Sequence, residues 1–577
     1  MKYIFLLNEF TLLKFFTQIV LKRQVYILNN RSIFPPLQKF IDCIASWALN
    51  SGRAEHVVEN LTPNLKPYWE YDRRFHFHEA FKKYESWQDA YYQLNNAEKI
   101  GEPYTYGYKL SVSNYTFPKV LDIYLVQGLL KNQPADSMQI CGLMPDTLDM
   151  YISYFQPFDD RLGLKTMSLW CKTLNTLSAL SVLAYSIVWT CFKIRIFSKT
   201  CDVFFAADNL NDPRDSIMYD EISDGGKVLV VSRNSSLSKN VPLSAKKYLQ
   251  CTFSDGFFPV GDAVKAIVLL VSDSIRLWKN YSSHSPELFY RVITMPYKRI
   301  IIRCLFNRYR PKFFWGRDDY NVEHILRRWE LNRIGGKSLG VNHAVVTNFC
   351  SLIAMWRYIS FDVYYTFGIP LCQPYVSRWD QSMELRSAGM FGVSRKTLAK
   401  EWPLGKAILV AVRVAWYEPE MANIVTTLAR KFPDKEILLQ MKAGYLDEEK
   451  SNAYIADWCK GLPNVRHVTD NIYVLLEDAE YLVSDISSLI AEGIQLGLKT
   501  FFADVIEQEY SIFREFPGLS LKSADSIADK IDDIENGTTK YPTTEYIKFM
   551  GLEHGLNIYD IVRNDVGLPP VISNADV

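Results

Sequence analysis

The C-terminal half of the chain alternates short apolar runs with longer amphipathic segments. The apolar runs, predicted as strands, are residues 361–367, 408–412, 436–440, 465–468, 481–484 and 500–503. The amphipathic segments, predicted as helices, include residues 418–432, 453–459, 472–479 and 488–496. Strands that are apolar on both faces and alternate with helices are typical of a parallel sheet covered on both sides. We therefore predict a Rossmann-like domain from about residue 350 to about residue 560.

The N-terminal half contains similar units. Its predicted strands are residues 203–207, 227–231, 312–315 and 337–341, and residues 24–28 and 139–143 are predicted as outer strands of the same sheet. A helix is expected at about 321–333, with Asp318, Asp319 and Asn321 available to cap its start and Gly335 and Gly336 to end it. The sequence thus predicts an α/β fold with two Rossmann-like lobes, residues 1–349 and 350–577, whose parallel sheets face a central cleft.

One stretch, residues 173–192, contains no charged residue and is flanked by Lys172, Lys193 and Arg195. Its length is near the roughly 20 residues that cross a bilayer. A single crossing would place the strands before and after it on opposite sides of the membrane, and several hydroxyl and amide side chains interrupt it. Three interpretations stay open: a helix lying in the plane of a membrane surface, a buried or oligomer-forming helix, and a true span.

Composition narrows the class of protein. At 577 residues the chain exceeds what one hydrophobic core organises, so two or three domains are expected. A formal net charge of +1 provides no field for a polyanion, which argues against nucleic acid as a partner. The ten cysteines show no CxxC pair and are interpreted as reduced thiols. Glu9 and Lys14 interrupt the apolar N-terminus, so we predict a cytoplasmic protein, either free or at the inner face of the cytoplasmic membrane.

The most informative run extends from Tyr481 to Asp504. Its pattern predicts, in order, a strand, a hydroxyl-rich turn, a helix that ends at a glycine, and a second strand. Its turn carries Ser484, Asp485, Ser487 and Ser488. The unpaired N–H groups at the start of the following helix favour a phosphate, and the serine hydroxyls would add donors. Glu492 lies one helical turn after Ser488, within reach of a ribose. The alternative is that Ser484 and Asp485 merely cap an ordinary helix.

Two cations are expected at the same sheet edge as Asp485. Arg413 follows the strand at 408–412, and Lys442 follows the strand at 436–440. Together they would offset the charge of a departing nucleotide phosphate, as a metal ion does in other enzymes. The alternative is that both are solvated surface residues.

Further candidates follow predicted strands of the N-terminal lobe. Arg317, Asp318 and Asp319 come after residues 312–315, at the sheet edge where ligands of α/β proteins gather. They are interpreted as acceptor contacts, as helix caps or, for the two aspartates, as metal ligands. His343 follows residues 337–341 and is interpreted as a base, a phosphate ligand or a structural histidine. No GxSxG, GxxxxGK[ST] or HExxH motif is present.

The turn at 484–488 resembles the Ser/Thr-Asp-x-Ser-Ser turn of GT-B glycosyltransferases of bacterial surface-polysaccharide and capsule synthesis, related to the CDP-glycerol glycerophosphotransferase-like enzymes of teichoic-acid synthesis. The resemblance covers residues 311–505 and is specific only around this turn. Gly340 to Ala344 occupies the place of the family's His-bearing turn, although Asn342 and Ala344 depart from its pattern. GT-B enzymes generally work without a metal ion, so the resemblance implies neither a metal nor another cofactor.

The resemblance implies transfer of a sugar from a nucleotide-activated donor, of the CMP, CDP or UDP type, to a surface glycan or lipid-linked acceptor. The C-terminal lobe would hold the donor and the N-terminal lobe the acceptor, with His343 as the base and Asp318 or Asp319 in reserve. Three alternatives stay open: a CDP-alditol phosphotransferase, a non-hydrolysing sugar-nucleotide epimerase, and a non-catalytic glycan-binding subunit.

Overall fold

The computed structural model describes most of the chain. The described residues are 2–8, 11–30, 37–56, 87–92, 97–116, 138–146, 148, 150, 162–166, 168–197, 199–209, 212–223, 228–233, 248–342, 344–345, 357–412, 418–441, 457–485, 487–505, 511–553, 555 and 557–569.

The described strands form three separate parallel sheets. The first contains β1 (Lys2–Leu7), β2 (Val25–Asn30), β3 (Glu55–His56), β4 (Met138–Leu143) and β5 (Leu162–Thr166). The second contains β6 (Cys201–Asp208), β7 (Val228–Ser232), β8 (Leu249–Thr252), β9 (Tyr309–Gly316), β10 (Lys337–Val341), β11 (Val363–Thr366) and β12 (Glu384–Ser387). The third contains β13 (Ala407–Val412), β14 (Ile437–Met441), β15 (Val465–His467), β16 (Ala479–Ser484), β17 (Lys499–Ala503) and β18 (Ser520–Leu521).

All three sheets share one strand order. The orders are β3-β2-β1-β4-β5, β8-β7-β6-β9-β10-β11-β12 and β15-β14-β13-β16-β17-β18. In each sheet the fourth strand returns to lie beside the first, which is the doubly wound arrangement with a switch point between those two strands. At a switch point the connections leave towards opposite faces, so a crevice opens beyond the carboxyl ends of the two strands.

Helices cover the sheets and connect them. The principal ones among the described residues are α1 (Leu12–Val20), α2 (Gln38–Asn50), α3 (Ser168–Phe192), α4 (Pro213–Ser223), α5 (Val260–Tyr281), α6 (Pro286–Ile293), α7 (Met295–Arg308), α8 (Val322–Arg333), α9 (Glu418–Lys431), α10 (Ile472–Asp478), α11 (Leu489–Gln495), α12 (Ala524–Glu535), α13 (Thr543–Phe549) and α14 (Ile558–Asp565). The last helix, α14, returns to the second sheet, where Ile558 and Val562 pack in one apolar cluster with Phe205 and Val341. We call the second sheet with its helices the second lobe and the third sheet with its helices the third lobe, so α14 ties the third lobe to the second.

The predicted α/β class, with parallel sheets in two lobes, is confirmed by the second and third sheets. Their central strands are buried along most of their length, and β13 is buried at every residue. The predicted apolar helix is α3, which is longer than the uncharged stretch alone. The predicted helix near 321–333 is α8, whose cap is Asn321, since its side chain accepts a hydrogen bond from the N–H of Glu323.

Two strand assignments were wrong. The run at 361–367 contains β11, which pairs in parallel with β10 and so belongs to the second sheet instead of the third. The runs at 24–28 and 139–143 overlap β2 and β4, which belong to the first sheet and are not outer strands of the second. One apolar core contains residues of the first two sheets together with residues of α5, α6 and α7.

The change from the second to the third sheet occurs between Ser387 and Ala407. The division of the chain into units 1–349 and 350–577 stays a prediction, because sheet membership alone does not define an independently folding unit.

Candidate active site

The carboxyl ends of the central strands define two edges that carry most of the candidate residues. In the second sheet the switch point lies between β6, which ends at Asp208, and β9, which ends at Gly316. In the third sheet it lies between β13, which ends at Val412, and β16, which ends at Ser484. We call these the ionic edge and the hydroxyl edge, after the residues that follow the strands.

Arg317 is the centre of a buried ion-pair group at the ionic edge. Its side chain is 2% exposed and donates to Asp215 Oδ1 at 3.0 Å and to Asp212 Oδ2 at 2.7 Å. Arg214, at the start of α4, also pairs with Asp212 Oδ2 at 2.7 Å. Burial raises the pKa of Asp215 to about 6, although the charge of Arg317 opposes this shift. Among the described residues, Nη1 of Arg317 has no hydrogen-bond partner, so one buried donor remains for a ligand.

Asp318 lies in a second buried ion-pair group. Arg327 donates to both of its carboxylate oxygens, and Arg233 approaches Oδ2 at 2.9 Å. Asp208 shares these partners, with Arg233 at 2.6 Å. Burial alone would raise the pKa of Asp318, but the charges of Arg327 and Arg233 lower it. A fully buried carboxylate held by two guanidinium groups is a poor proton acceptor, so this placement does not favour Asp318 as the base.

Asp319 is also fully buried, and the hydroxyl of Tyr364 donates to its Oδ2 at 2.6 Å. Burial, together with the charge of Asp319, raises the pKa of Tyr364 well above its usual value. Neither aspartate caps α8, because Asn321 does so. Within the part of the chain that the structure describes, no three His, Cys, Asp or Glu side chains lie close enough to hold a metal ion.

The hydroxyl edge places its four turn residues in two different environments. Ser484 is fully buried and donates to the carbonyl of Ala411 at 3.0 Å, which fastens β16 to β13. Asp485 is buried as well. Ser487 and Ser488 are half-buried at the start of α11, and Ser487 Oγ accepts the N–H of Leu489 at 3.2 Å. Ser484 therefore supports the turn, whereas Ser487 and Ser488 are the ones that a ligand can reach.

Glu492 joins the two edges. It is 3% exposed on α11, and the hydroxyl of Tyr473 in α10 hydrogen-bonds with both Glu492 and Arg214. Burial and the charge of Glu492 raise the pKa of Tyr473 above its usual value. Arg214 comes from the second lobe, so this group bridges the second and third lobes.

The loop that follows β12 in the second lobe also contacts α11 of the third lobe. The N–H of Met390 donates to Gln495 Oε1 of α11 at 2.6 Å. Gly389 has a φ of +74°, and a Cβ atom there would lie 2.2 Å from Nε2 of Gln495. The guanidinium carbons of Arg214 and Arg317 lie 5.4 and 5.3 Å from the centre of the Phe391 ring. The loop at the carboxyl end of the second sheet thus packs directly on α11.

Three predicted site residues, His343, Arg413 and Lys442, lie outside the described residues, so their roles stay predictions. Sequence reasoning missed Arg214 and Tyr473. Arg214 had a usable signal, since Asp212-Pro213-Arg214 follows β6 at the sheet edge and begins a helix. No signal in the sequence marks Tyr473, because its role depends on a contact between the lobes.

Comparisons with known proteins give low identities. No protein-family model matches the chain, and no curated protein matches it. Among solved structures, it is similar to a UDP-GlcNAc 2-epimerase from Neisseria meningitidis bound to UDP-GlcNAc, at 11% identity and a TM-score of 0.38, covering 64% of this chain and 99% of that one. It is similar to a glycosyltransferase from Rickettsia africae at 11% identity and a TM-score of 0.35, covering 64% and 94%. It is similar to MurG from Acinetobacter baumannii at 9% identity and a TM-score of 0.34, covering 63% and 100%.

TM-scores below 0.5 establish no function, so the proposal that follows depends on the site itself. The resemblance to CDP-glycerol-type enzymes also stays a prediction.

Proposed function

We propose that this protein transfers a sugar from a nucleotide-activated donor to an acceptor bound between its second and third sheets. One observation carries the proposal. The switch-point edges of two Rossmann-like sheets meet, and Tyr473 links Glu492 of one lobe to Arg214 of the other. Ligands of such sheets bind beyond the carboxyl ends of the strands at the switch point, so two facing edges suit a substrate pair.

The hydroxyl edge is the proposed donor side. Ser487 and Ser488 present hydroxyl groups at the start of α11, where backbone N–H groups are directed towards an anion. Glu492 lies one turn further on, where an acidic group suits a ribose hydroxyl. Arg413 and Lys442, which follow β13 and β14 in the sequence, are proposed to offset the charge of the departing nucleotide.

The ionic edge is the proposed acceptor side. The described aspartates of this edge are paired with arginines or, for Asp319, with the hydroxyl of Tyr364. Nη1 of Arg317 is therefore the described donor for an acceptor oxygen. Because Asp318 is a poor proton acceptor here, His343 is the proposed base. It follows β10 in the sequence, and a neutral imidazole there would take the proton of an acceptor hydroxyl.

The finer assignment is a pyrimidine nucleotide donor of the CMP, CDP or UDP type and a surface glycan or lipid-linked acceptor. The basis for it is the Ser484-Asp485-x-Ser487-Ser488 turn and its resemblance to surface-polysaccharide transferases. The proposed mechanism uses no metal ion or other cofactor.

A thermal-shift screen across free nucleotides and nucleotide sugars tests the donor site, followed by mass analysis of the products with the best donor. A glycosyl group added to an acceptor, with release of the nucleotide, is the expected result. Transfer of an alditol phosphate would indicate the phosphotransferase, and an isomerised nucleotide sugar formed without acceptor would indicate the epimerase. Binding of a glycan without turnover would indicate a non-catalytic subunit.

His343→Ala tests the chemistry separately. The expected result is near-native donor affinity with kcat lower by at least roughly a hundredfold, the contribution of a positioned base. A collapse of donor affinity would instead make the imidazole a phosphate ligand. Unchanged kcat and affinity would remove His343 from the mechanism.

A further inference from the structure

Two neighbouring helices outside the candidate site expose apolar side chains along their length. On α3 the exposed residues include Leu177, Val188 and Phe192, and on α5 they include Val260, Val264 and Ile275. Apolar side chains scattered singly over a surface are ordinary, but a contiguous apolar surface marks a site of contact with a protein or membrane.

The two helices are antiparallel neighbours. The indole N–H of Trp278, near the end of α5, donates to Thr176 Oγ1, near the start of α3, at 3.2 Å. At the opposite end Ile194, just after α3, pairs as an isolated bridge with Phe258, just before α5. These two contacts fix the register of the helices.

This register makes one ridge of the exposed side chains. By this register Leu177 is level with Ile275, Val188 with Val264, and Phe192 with Val260 along the two helices. Both helices repeat their exposed apolar residues at helical spacing, so the pairs recur along the same side. The sequence showed only the half of this surface that lies on α3, because α5 also carries charged residues and is not an apolar stretch.

Hydrogen bonds hold the buried side of α3 against the rest of the protein. Asn175 donates to the carbonyls of Ser282 and His284 at 2.9 and 2.7 Å. Within the described residues, α3 alone is long and apolar enough to cross a membrane, and 22% of its most apolar window is buried. A crossing would remove Asn175 from both carbonyls and separate α3 from α5, so the packed arrangement favours contact with a membrane surface over a span.

The charges around the ridge have one dominant sign. Lys172, Arg195, Lys265 and Lys279 are exposed at its borders, and α3 contains no acidic residue. Of the acids on α5, Asp273 is buried and paired with Arg276, and Asp262 is half-buried. A second copy of the protein would bring two cationic borders together, whereas an anionic lipid surface complements them.

We propose that α3 and α5 together form a membrane-docking surface that lies in the plane of an anionic phospholipid bilayer. The apolar ridge inserts at the boundary between headgroups and acyl chains, and the lysines contact the headgroups. This inference is independent of the proposed transfer reaction, because it depends on no residue of the candidate site.

The test is cosedimentation of the full-length protein with phosphatidylglycerol vesicles, without any substrate. Val264→Asp places a charge on the ridge and is expected to weaken binding at least about tenfold. Val474→Asp on α10 is the matched control, since Val264 and Val474 are both 58% exposed valines on helices. The control is expected to bind as the native protein does. A native protein that does not bind these vesicles, or equal binding by both variants, would overturn the proposal.

Two further measurements identify what binds to this surface: an anionic membrane, any membrane, or a second copy of the protein. Lys265→Glu is expected to weaken binding to phosphatidylglycerol by about fivefold or more, and native binding to phosphatidylcholine vesicles is expected to be much weaker. Equal binding to both lipids would overturn the anionic assignment. If the native protein is a dimer without vesicles and Val264→Asp makes it a folded monomer, the surface is an interface between copies and the membrane assignment is wrong.

Discussion

The ionic edge and the hydroxyl edge have the same topology and different chemistry. Both lie at the switch point of a sheet in which the fourth strand returns beside the first. The ionic edge is filled by buried carboxylates and guanidinium groups that neutralise one another. The hydroxyl edge has small polar groups, of which Ser487 and Ser488 remain half-exposed. Topology therefore decides where a ligand can bind, whereas side chains decide how much of each edge is left for it.

The two edges are also expected to differ in whether a substitution changes the stability of the protein or its affinity for a ligand. A buried ion pair adds little net stability, because desolvation offsets its attraction, but removal of one partner leaves an uncompensated charge. Substitutions at the ionic edge should therefore destabilise the protein, whereas substitutions at the exposed part of the hydroxyl edge should weaken ligand binding. The following predictions test this division, from the largest expected effect to the smallest.

Arg327→Met should destabilise the protein by about 3–5 kcal/mol, because Asp318 and Asp208 remain buried with one guanidinium group between them. The measurement is the free energy of unfolding from urea titration. Arg466→Met is the control, since the pair of Arg466 with Glu436 is half-exposed and should contribute less than about 1 kcal/mol. Equal losses from the two variants would show that the ionic edge is not specially dependent on its charges.

Acid should destabilise the ionic edge through His324, which stacks on Phe361. Burial lowers the pKa of this imidazole to about 4, although Asp318 opposes the shift. The unfolded chain therefore takes up the proton as the pH falls below about 6.5, before the folded protein does. Above about pH 6.5 this imidazole does not reduce the free energy of unfolding. As the pH falls from there to about 4, the free energy of unfolding decreases by up to about 3 kcal/mol.

The measurement is urea unfolding of the native protein and of His324→Gln at several pH values. Other groups titrate in both proteins, so the difference between the two curves reports on His324. The native protein should lose more stability than the variant between about pH 6.5 and pH 4. Parallel curves would mean that the imidazole is already protonated in the folded state.

The double variant Ser487→Ala with Ser488→Ala should weaken nucleotide binding by roughly tenfold or more for each lost contact. Its stability should fall by only about 1 kcal/mol, since Ser487 also accepts the N–H of Leu489. Ser523→Ala removes the cap of α12 in the same lobe and should cost similar stability without changing affinity. Calorimetric titration measures the affinity, and an unchanged dissociation constant would exclude this turn as the phosphate site.

Tyr473→Phe should have the smallest effect, about 1 kcal/mol, because Arg214 and Glu492 keep opposite charges beside each other. Its specific result should be faster hydrogen exchange in α4 and α10, which meet at this hydroxyl. Tyr546→Phe, which removes a hydrogen bond to the carbonyl of Pro517 within the third lobe, should leave that exchange unchanged. If exchange rises equally in both variants, the junction between the lobes does not depend on Tyr473.

The local geometry of the hydroxyl edge was predictable, because it follows a local pattern. The turn at 484–488 was found because a strand, a run of hydroxyl residues and a helix follow one another in the chain. The caps of α8 were only partly predicted, since Asp318, Asp319 and Asn321 all suit a cap and only the fold selected Asn321. Asp318 illustrates the limit, because its ion pair with Arg233 joins residues far apart in sequence.

The sequence by itself determined the α/β class, most of the strands of the second and third sheets, and the apolar helix α3. Periodicity suffices for these, because each strand or helix buries a face that its own residues define. Only the tertiary structure decided that β2 and β4 belong to a separate first sheet, that β11 joins the second, and that Tyr473 bridges Arg214 and Glu492. Strand partners and long-range contacts depend on how whole layers pack, and an apolar strand is equally suited to the interior of any of the three sheets.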